Sequence, residues 1–155
     1  MREKVENRSV PANVIIPHVH YRDVLEAIAW LGKALGFEEH FRYGDPSSVS
    51  GSQIHLGDAW LMIRRAASNV QTPAQLGFGT QSLTIFVEDV EGHFERAKAA
   101  GAKIVEDPHE TEYGEFQFAM LDYEGHHWVV ARHARDADPA SWGATVINPL
   151  HRTAR

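Results

Sequence analysis

The chain of 155 residues contains no cysteine, so its fold uses no disulfide and its chemistry uses no thiol. It has no apolar run near the roughly 18 residues that a membrane-spanning helix needs. Lys and Arg number 15 against 21 Asp and Glu and are dispersed, which excludes the clustered positive surface that nucleic acids require. The charged N-terminus has no apolar core like that of a secretion signal. These absences predict a cytoplasmic globular protein that binds neither nucleic acid nor membrane.

Two similar segments stand out in the sequence, GDAWLMI at 57–63 and GHHWVVA at 125–131. Each ends a longer unit that begins with an apolar strand and continues into a helix. Asp23 and Asp89 precede these helices as candidate N-caps, and a glycine follows each helix. A repeat of this kind indicates a fold assembled from two equivalent units.

Hydrophobic periodicity predicts the same element order, β-α-β-β-β, in both units. In the first unit, residues 13–65, the predicted strands are 13–21, 37–43, 49–56 and 59–65. In the second unit, residues 80–133, they are 83–87, 103–110, 114–122 and 126–133. An N-terminal extension (1–12), a linker (66–79) and a C-terminal tail (134–155) lie outside the repeat. The predicted fold class is α+β, with one domain over residues 13–133.

These units, together with the run from Asp122 to Trp128 before the last strand, resemble the vicinal oxygen chelate superfamily. That superfamily comprises glyoxalases, bleomycin-resistance proteins and extradiol dioxygenases, and the resemblance covers residues 13–133. It implies mixed sheets that curl around a concave cavity. It also implies a homodimer and, in enzymatic members, a divalent metal held by one side chain on the first and one on the last strand of each unit.

The family pattern places these ligands seven residues before the helix-capping Asp and two residues after the Trp of the Gly-x-x-Trp segment. In this chain the four positions hold Ile16, Met62, Ser82 and Val130. None of them supplies the imidazole or carboxylate that a divalent cation needs. The sequence therefore predicts no metal and no other cofactor, and no residue receives a catalytic role.

Strand alternation predicts which side chains face the cavity, because successive residues of a strand point to opposite faces. The expected ligand-binding residues are mostly apolar or aromatic, with a few polar groups. They are Ile16, His18, His20, Trp60, Met62, Ser82, Thr84, Phe86, Trp128, Val130 and Arg132. Such a lining is typical of small-molecule sites and predicts an apolar or aromatic ligand.

The sequence leaves three functions open. The first is a metal-independent protein that binds or sequesters such a ligand. The second is a divalent-metal lyase, isomerase or dioxygenase with relocated ligands, drawn from His18, His20 and either His126 or Glu110, in which the metal polarises substrate oxygens. The third is protein association, which the apolar residues of the C-terminal tail suggest.

Overall fold

The computed structural model describes residues 1 and 3–149, in which each unit forms one mixed four-stranded sheet with one long helix. The first unit comprises β1 (His18–Tyr21), α1 (Val24–Leu35), β2 (Glu38–Asp45), β3 (Ser48–Leu56) and β4 (Ala59–Arg65). Strand β1 runs parallel to β4, and the remaining neighbours are antiparallel. The resulting strand order is β1-β4-β3-β2.

A short helix, α2 (Pro73–Leu76), precedes the second unit. That unit comprises β5 (Ser82–Phe86), α3 (Val90–Ala99), β6 (Lys103–Glu110), β7 (Glu115–Leu121) and β8 (His127–His133). It repeats the arrangement with the order β5-β8-β7-β6, and neither sheet closes into a barrel. The predicted α+β fold of tandem β-α-β-β-β units is confirmed. No helix among residues 1 and 3–149 is long and apolar enough to cross a membrane.

The long helices begin where the sequence predicts. The Asp23 carboxylate accepts a hydrogen bond from the Glu26 amide at 3.0 Å, and the Asp89 carboxylate accepts one from the Gly92 amide at 2.9 Å. Gly36 ends α1 at a φ of 86°, a left-handed conformation that favours glycine. Both helix predictions are confirmed.

Two local predictions differ from the structure. The strand expected over 13–21 begins at His18, because Pro17 has no N–H for a sheet ladder; its carbonyl accepts a hydrogen bond from the Met62 amide at 2.9 Å. Helix α2 lies in the linker that was expected to be irregular. Thr72 and Gln75 form a capping box around it, and four residues are too few to produce a visible hydrophobic period.

The C-terminal tail returns to the second unit. It contains one 3-10 turn, Pro139–Trp142, and the Trp142 ring lies 5.8 Å from the Tyr113 ring in an edge-to-face contact. Val146 and Ile147 beyond it are exposed. Residues 150–155 of the predicted tail lie outside the described residues.

One hydrophobic core joins the two units. Helix α1 packs against α3, the rings of Phe37 and Trp128 lie 5.9 Å apart, and the Trp30 indole N–H donates to the Ala100 carbonyl at 2.9 Å. The helix-covered faces of both sheets therefore meet inside the molecule. Their opposite faces point outward.

A buried carboxylate links the units at the edge of this core. Asp122 is 5% exposed and accepts hydrogen bonds from the Tyr21 hydroxyl at 2.7 Å and the Trp128 indole at 3.0 Å. Its other oxygen accepts from the backbone N–H groups of Glu124 and His126, both at 3.0 Å. Burial and the nearby Asp122 charge raise the pKa of Tyr21 well above its ordinary value, so the hydroxyl stays protonated and donates.

A second buried carboxylate ties the linker to the same edge. Glu124 accepts from the Arg22 backbone at 3.2 Å, from the Arg22 guanidinium at 3.0 Å and from the Thr72 hydroxyl at 3.0 Å. Burial alone raises the pKa of Glu124, but the hydrogen bonds from Arg22 and Thr72 outweigh it, and the net pKa is lowered. Three segments of the chain thus meet at one ionised group.

We expect Tyr21→Phe to lower the free energy of unfolding by about 1–2 kcal/mol, because it removes one donor from a buried carboxylate. Tyr43→Phe is the matched control, since the Tyr43 side chain is exposed. Urea unfolding of both variants checks the expectation. Equal stabilities for the two variants would contradict the linking role of Asp122.

We expect the Glu124 contacts to make stability depend on pH. Because the folded-state pKa lies below the ordinary 4.5, the stabilisation is present above pH 4.5 and is lost as pH falls through the folded-state value. Urea midpoints measured across this acid range should fall less steeply for Glu124→Gln than for the native protein. The exposed Glu95→Gln should keep the native slope, and a native slope for Glu124→Gln would refute the expectation.

Candidate ligand-binding site

The outward face of the first sheet carries the first-unit residues that were predicted to line a cavity. In the β1–β4 ladder His18 lies beside Met62 and His20 beside Arg64, while Val19 between them is buried in the core. We call this surface the unit-1 face and define it by Ile16, His18, His20, Trp60 and Met62. Their expected orientation is confirmed, and their role in ligand binding stays a prediction.

A cavity of about 360 Å³ opens on the unit-1 face. Its walls are mainly apolar, with His18 and Gln53 as polar groups, and its apolar side chains are Val10, Ile16, Phe41, Tyr43 and Met62. Gln53 is 2% exposed, and its amide donates to the Ser9 carbonyl at 3.2 Å and accepts from the His40 ring at 2.8 Å. The N-terminal extension therefore contributes one wall of the cavity.

Trp60 lies next to this cavity with one side of its indole already covered. The His55 ring stacks on it at 4.6 Å with an interplanar angle of 22°, and the His40 ring approaches edge-on at 5.7 Å. These two histidine rings therefore fix the position of the indole on the unit-1 face.

The outward face of the second sheet carries Ser82, Thr84 and Phe86, as predicted. Ile85 between them is buried, whereas Phe86 is 60% exposed. In the β5–β8 ladder the neighbours of Ser82 and Thr84 are His127 and Val129. We call this surface the unit-2 face and define it by Ser82, Thr84, Phe86, His127 and Val129.

The expected cavity-facing position of Trp128, Val130 and Arg132 is wrong. Trp128 and Val130 are 0% exposed, Val130 lies beside Ile85 under α3, and Arg132 forms an ion pair with Glu91 of α3 at 2.7 Å. Aligning the two Gly-x-x-Trp segments implies that the second unit contains two more residues than the first between its first and last strands. The pairing of these strands shows that it contains only one more. A shift of one residue turns every side chain of a strand to the other face.

Val129 and His127 are the outward residues that the sequence interpretation missed. Val129 lies beside Thr84 as Met62 lies beside His18. The Nδ1 of His127 is buried and has no hydrogen-bond partner among the described residues. His127 lines a cavity of about 560 Å³ between the unit-2 face and the linker, together with Ser82, Leu121, Gly125, Pro73 and Phe78. The alternation of residues in β5 assigns its two faces correctly. Because β8 pairs with β5, that assignment also shows which residues of β8 face outward.

The corrected register still supplies no metal ligands. The four relevant positions on the outward faces hold Ile16, Met62, Ser82 and Val129. Within residues 1 and 3–149, no group of three or more His, Cys, Asp or Glu side chains is placed to hold a metal ion. The residues present do not fit the divalent cation of the enzymatic pattern.

The relocated ligand set is brought together only in part, because His18, His20 and His126 line one cavity but are not placed to hold a metal ion. His126 directs its Nε2 to the His20 carbonyl at 2.7 Å, so this nitrogen donates a hydrogen bond. Glu110 pairs with Arg135 at 2.7 Å, at the end of the second sheet opposite His126. The hypothesis of a metal held by His18, His20 and either His126 or Glu110 receives no support from this geometry.

The family follows from comparison with known sequences. A sequence model of the Glyoxalase/Bleomycin resistance protein/Dioxygenase superfamily matches residues 15–130. This chain belongs to that superfamily. The match covers most of both units and leaves outside it the N-terminal extension, which forms a wall of the unit-1 cavity.

Several known proteins are similar to this chain. An uncharacterised protein of Mycobacterium tuberculosis strain H37Rv is 26% identical over 130 residues, covering 79% of this chain and 75% of the relative. The crystal structure of TioX from Micromonospora sp. ML1 superposes with a TM-score of 0.65 at 28% identity, covering 78% of this chain and 99% of TioX. A bleomycin-binding protein complexed with bleomycin gives 0.60 at 18% identity, covering 79% and 99%, which shows a shared fold.

We expect the two tryptophans of the repeat to differ in their contribution to stability. Trp128→Phe leaves a cavity in the core and removes a donor from Asp122, so the free energy of unfolding should fall by about 2–4 kcal/mol. Trp60→Phe, on the half-exposed unit-1 face, should lower it by less than about 1 kcal/mol. Urea denaturation of both variants checks this, and similar losses would contradict the register described here.

Proposed function

We propose that this superfamily member binds and sequesters an apolar or aromatic small molecule without a metal. The observation that carries the proposal is the cavity of about 360 Å³ on the unit-1 face, whose walls are mainly apolar and whose polar groups are His18 and Gln53. A concave apolar site with few polar groups is the usual make-up of a small-molecule site. The bleomycin-binding protein of the same fold supports a binding role.

The side chains at the four family ligand positions support metal independence. Ile16 and Val129 carry no donor atom, Met62 carries a soft thioether, and Ser82 carries a neutral hydroxyl. Hard and borderline divalent cations bind carboxylate oxygen and imidazole nitrogen far better than these groups. Binding in this site therefore rests on burial of apolar surface and on hydrogen bonds from the polar groups of the wall.

A second copy of the chain completes the site in this proposal. The unit-1 and unit-2 faces both lie on the side of their sheet opposite the helices and the shared core, so each is open to solvent. Phe86 on the unit-2 face is 60% exposed, which is unfavourable for a large apolar ring in a monomer. In a two-fold dimer the unit-1 face of one copy covers the unit-2 face of its partner, and two equivalent sites result.

The binding proposal is tested with N-phenyl-1-naphthylamine, an uncharged fluorescent probe, and with elemental analysis of the native purified protein. We expect saturable binding whose affinity is unchanged after treatment with a chelator. Met62→Glu should weaken binding at least about tenfold, because it places a charge in the apolar wall. The exposed Val5→Glu is the matched control and should bind as the native protein does.

Two results would overturn the proposal. One is absence of probe binding to the native protein. The other is stoichiometric zinc, nickel, manganese or iron that resists dialysis, combined with loss of binding when it is removed.

The dimer is tested by light scattering of the eluting protein in size-exclusion chromatography. The native protein should have twice the chain mass of 17.4 kDa. Phe86→Glu should shift the mass to that of the single chain, because a charge would be buried at the interface. Val5→Glu again serves as the control. A native mass of one chain at micromolar concentration would contradict the completed site.

A further inference from the structure

Cationic groups gather where the unit-1 face meets the second unit. His18 and His20 point outward from β1, and Arg64 lies beside His20 in the ladder. His126 reaches across from the second unit to the His20 carbonyl. His18, His20 and His126 line one cavity of about 210 Å³ beneath the linker. We call His18, His20, Arg64 and His126 the basic cluster.

The basic cluster has unused hydrogen-bonding capacity. Among the described residues, the side chains of His18, His20 and Arg64 form no hydrogen bond and no ion pair. Neutral polar side chains also line this cavity, namely Gln71 of the linker and Thr80 and Gln81 at the start of the second unit. The guanidinium of Arg64 and the imidazoles of His18 and His20 therefore have no acidic partner among the described residues.

The carboxylates closest to His126 along the chain do not supply that partner. Asp122 already accepts four hydrogen bonds, and Glu124 is held by Arg22 and Thr72. Burial, followed by the positive charges of Arg64, His18 and His126, lowers the pKa of His20 below its ordinary 6.5. Mutual repulsion of this kind is relieved by an anion.

We infer that the ligand of the unit-1 face is an amphipathic anion, with an apolar or aromatic body and one carboxylate, sulfonate or phosphate group held by His18, His20 and Arg64. His18 lines both the apolar cavity and the cavity of the basic cluster, so it joins the two parts of the site. Guanidinium presents a planar fork that matches such oxyanions. The inference rests on the proposed function, because it adds the charge of the ligand to the same site.

Because the chain has a net negative charge, an anionic ligand needs basic side chains close to its site. With a formal charge of −6, the protein as a whole repels anions. Attraction of an anionic ligand therefore has to come from groups close to the site. The basic cluster provides them at the edge of the apolar cavity.

Two fluorescent probes that share one ring system separate the contribution of charge to binding from the contribution of apolar burial. N-phenyl-1-naphthylamine is uncharged, and 1-anilinonaphthalene-8-sulfonate adds a single sulfonate. At about pH 6 and low salt we expect the sulfonate probe to bind about tenfold more tightly, the effect of a charge-assisted hydrogen bond. Its binding should weaken with salt and should be competed by inorganic phosphate.

Arg64→Gln should abolish the preference for the sulfonate probe and leave the uncharged probe unaffected. Arg65→Gln is the matched control, because it removes the same charge from the adjacent residue, whose ladder partner Tyr21 is buried in the core and which bonds Ser48 on the other face. This control should retain the preference. Equal binding of the two probes to the native protein, or an equal effect of the two Arg variants, would overturn the inference.

The same experiment keeps the inference distinct from the proposed function. If the uncharged probe binds and the sulfonate adds nothing, the anionic ligand is wrong and the apolar site stands. If the uncharged probe does not bind the native protein, the proposed function fails, and the inference fails with it.

Discussion

The arrangement of the two units depends on the buried carboxylate of Asp122. An ionised group in an apolar interior is strongly unfavourable unless donors surround it, and here four donors do so. Three of them come from the second unit, and the fourth is the Tyr21 hydroxyl of the first. Moving the units apart would leave the charge without this donor. The helix-covered faces are thereby held together, and the orientation of both outward faces follows.

This orientation connects the fold with the proposed function. Each outward face is partly apolar and open to solvent, and in the proposed dimer two such faces enclose one site. The positions that hold a metal in enzymatic relatives carry Ile16, Met62, Ser82 and Val129 in this chain. What remains for recognition is an apolar wall, the amide of Gln53 and the basic cluster. Their separate places on the unit-1 face explain how one ligand can present an apolar body and an anionic group.

The sequence predicted the elements well because their signals are local. Asp23 and Asp89 mark the first residues of α1 and α3 as their N-caps. The alternation in β5 correctly assigns Thr84 and Phe86 to the outward face. The prediction of outward residues failed in β8. Residues 128–131 there are all apolar, so alternation does not show which side chains face outward. The contact between Tyr21 and Asp122 spans 101 residues of chain, so no local pattern reveals it. The same holds for Ser9, whose contact with Gln53 brings the N-terminal extension to the cavity.

The central claim, that a complete site joins the unit-1 face of one copy to the unit-2 face of its partner, is tested most directly by complementation. Met62→Trp and Thr84→Trp each fill one face without adding a charge to the interface, and each variant alone should fail to bind N-phenyl-1-naphthylamine. When the two are unfolded and refolded together, mixed dimers pair one intact unit-1 face with one intact unit-2 face. About a quarter of the native binding capacity should return, because half the dimers are mixed and each has one intact site. No recovery on mixing, or full binding by Thr84→Trp alone, would contradict the account.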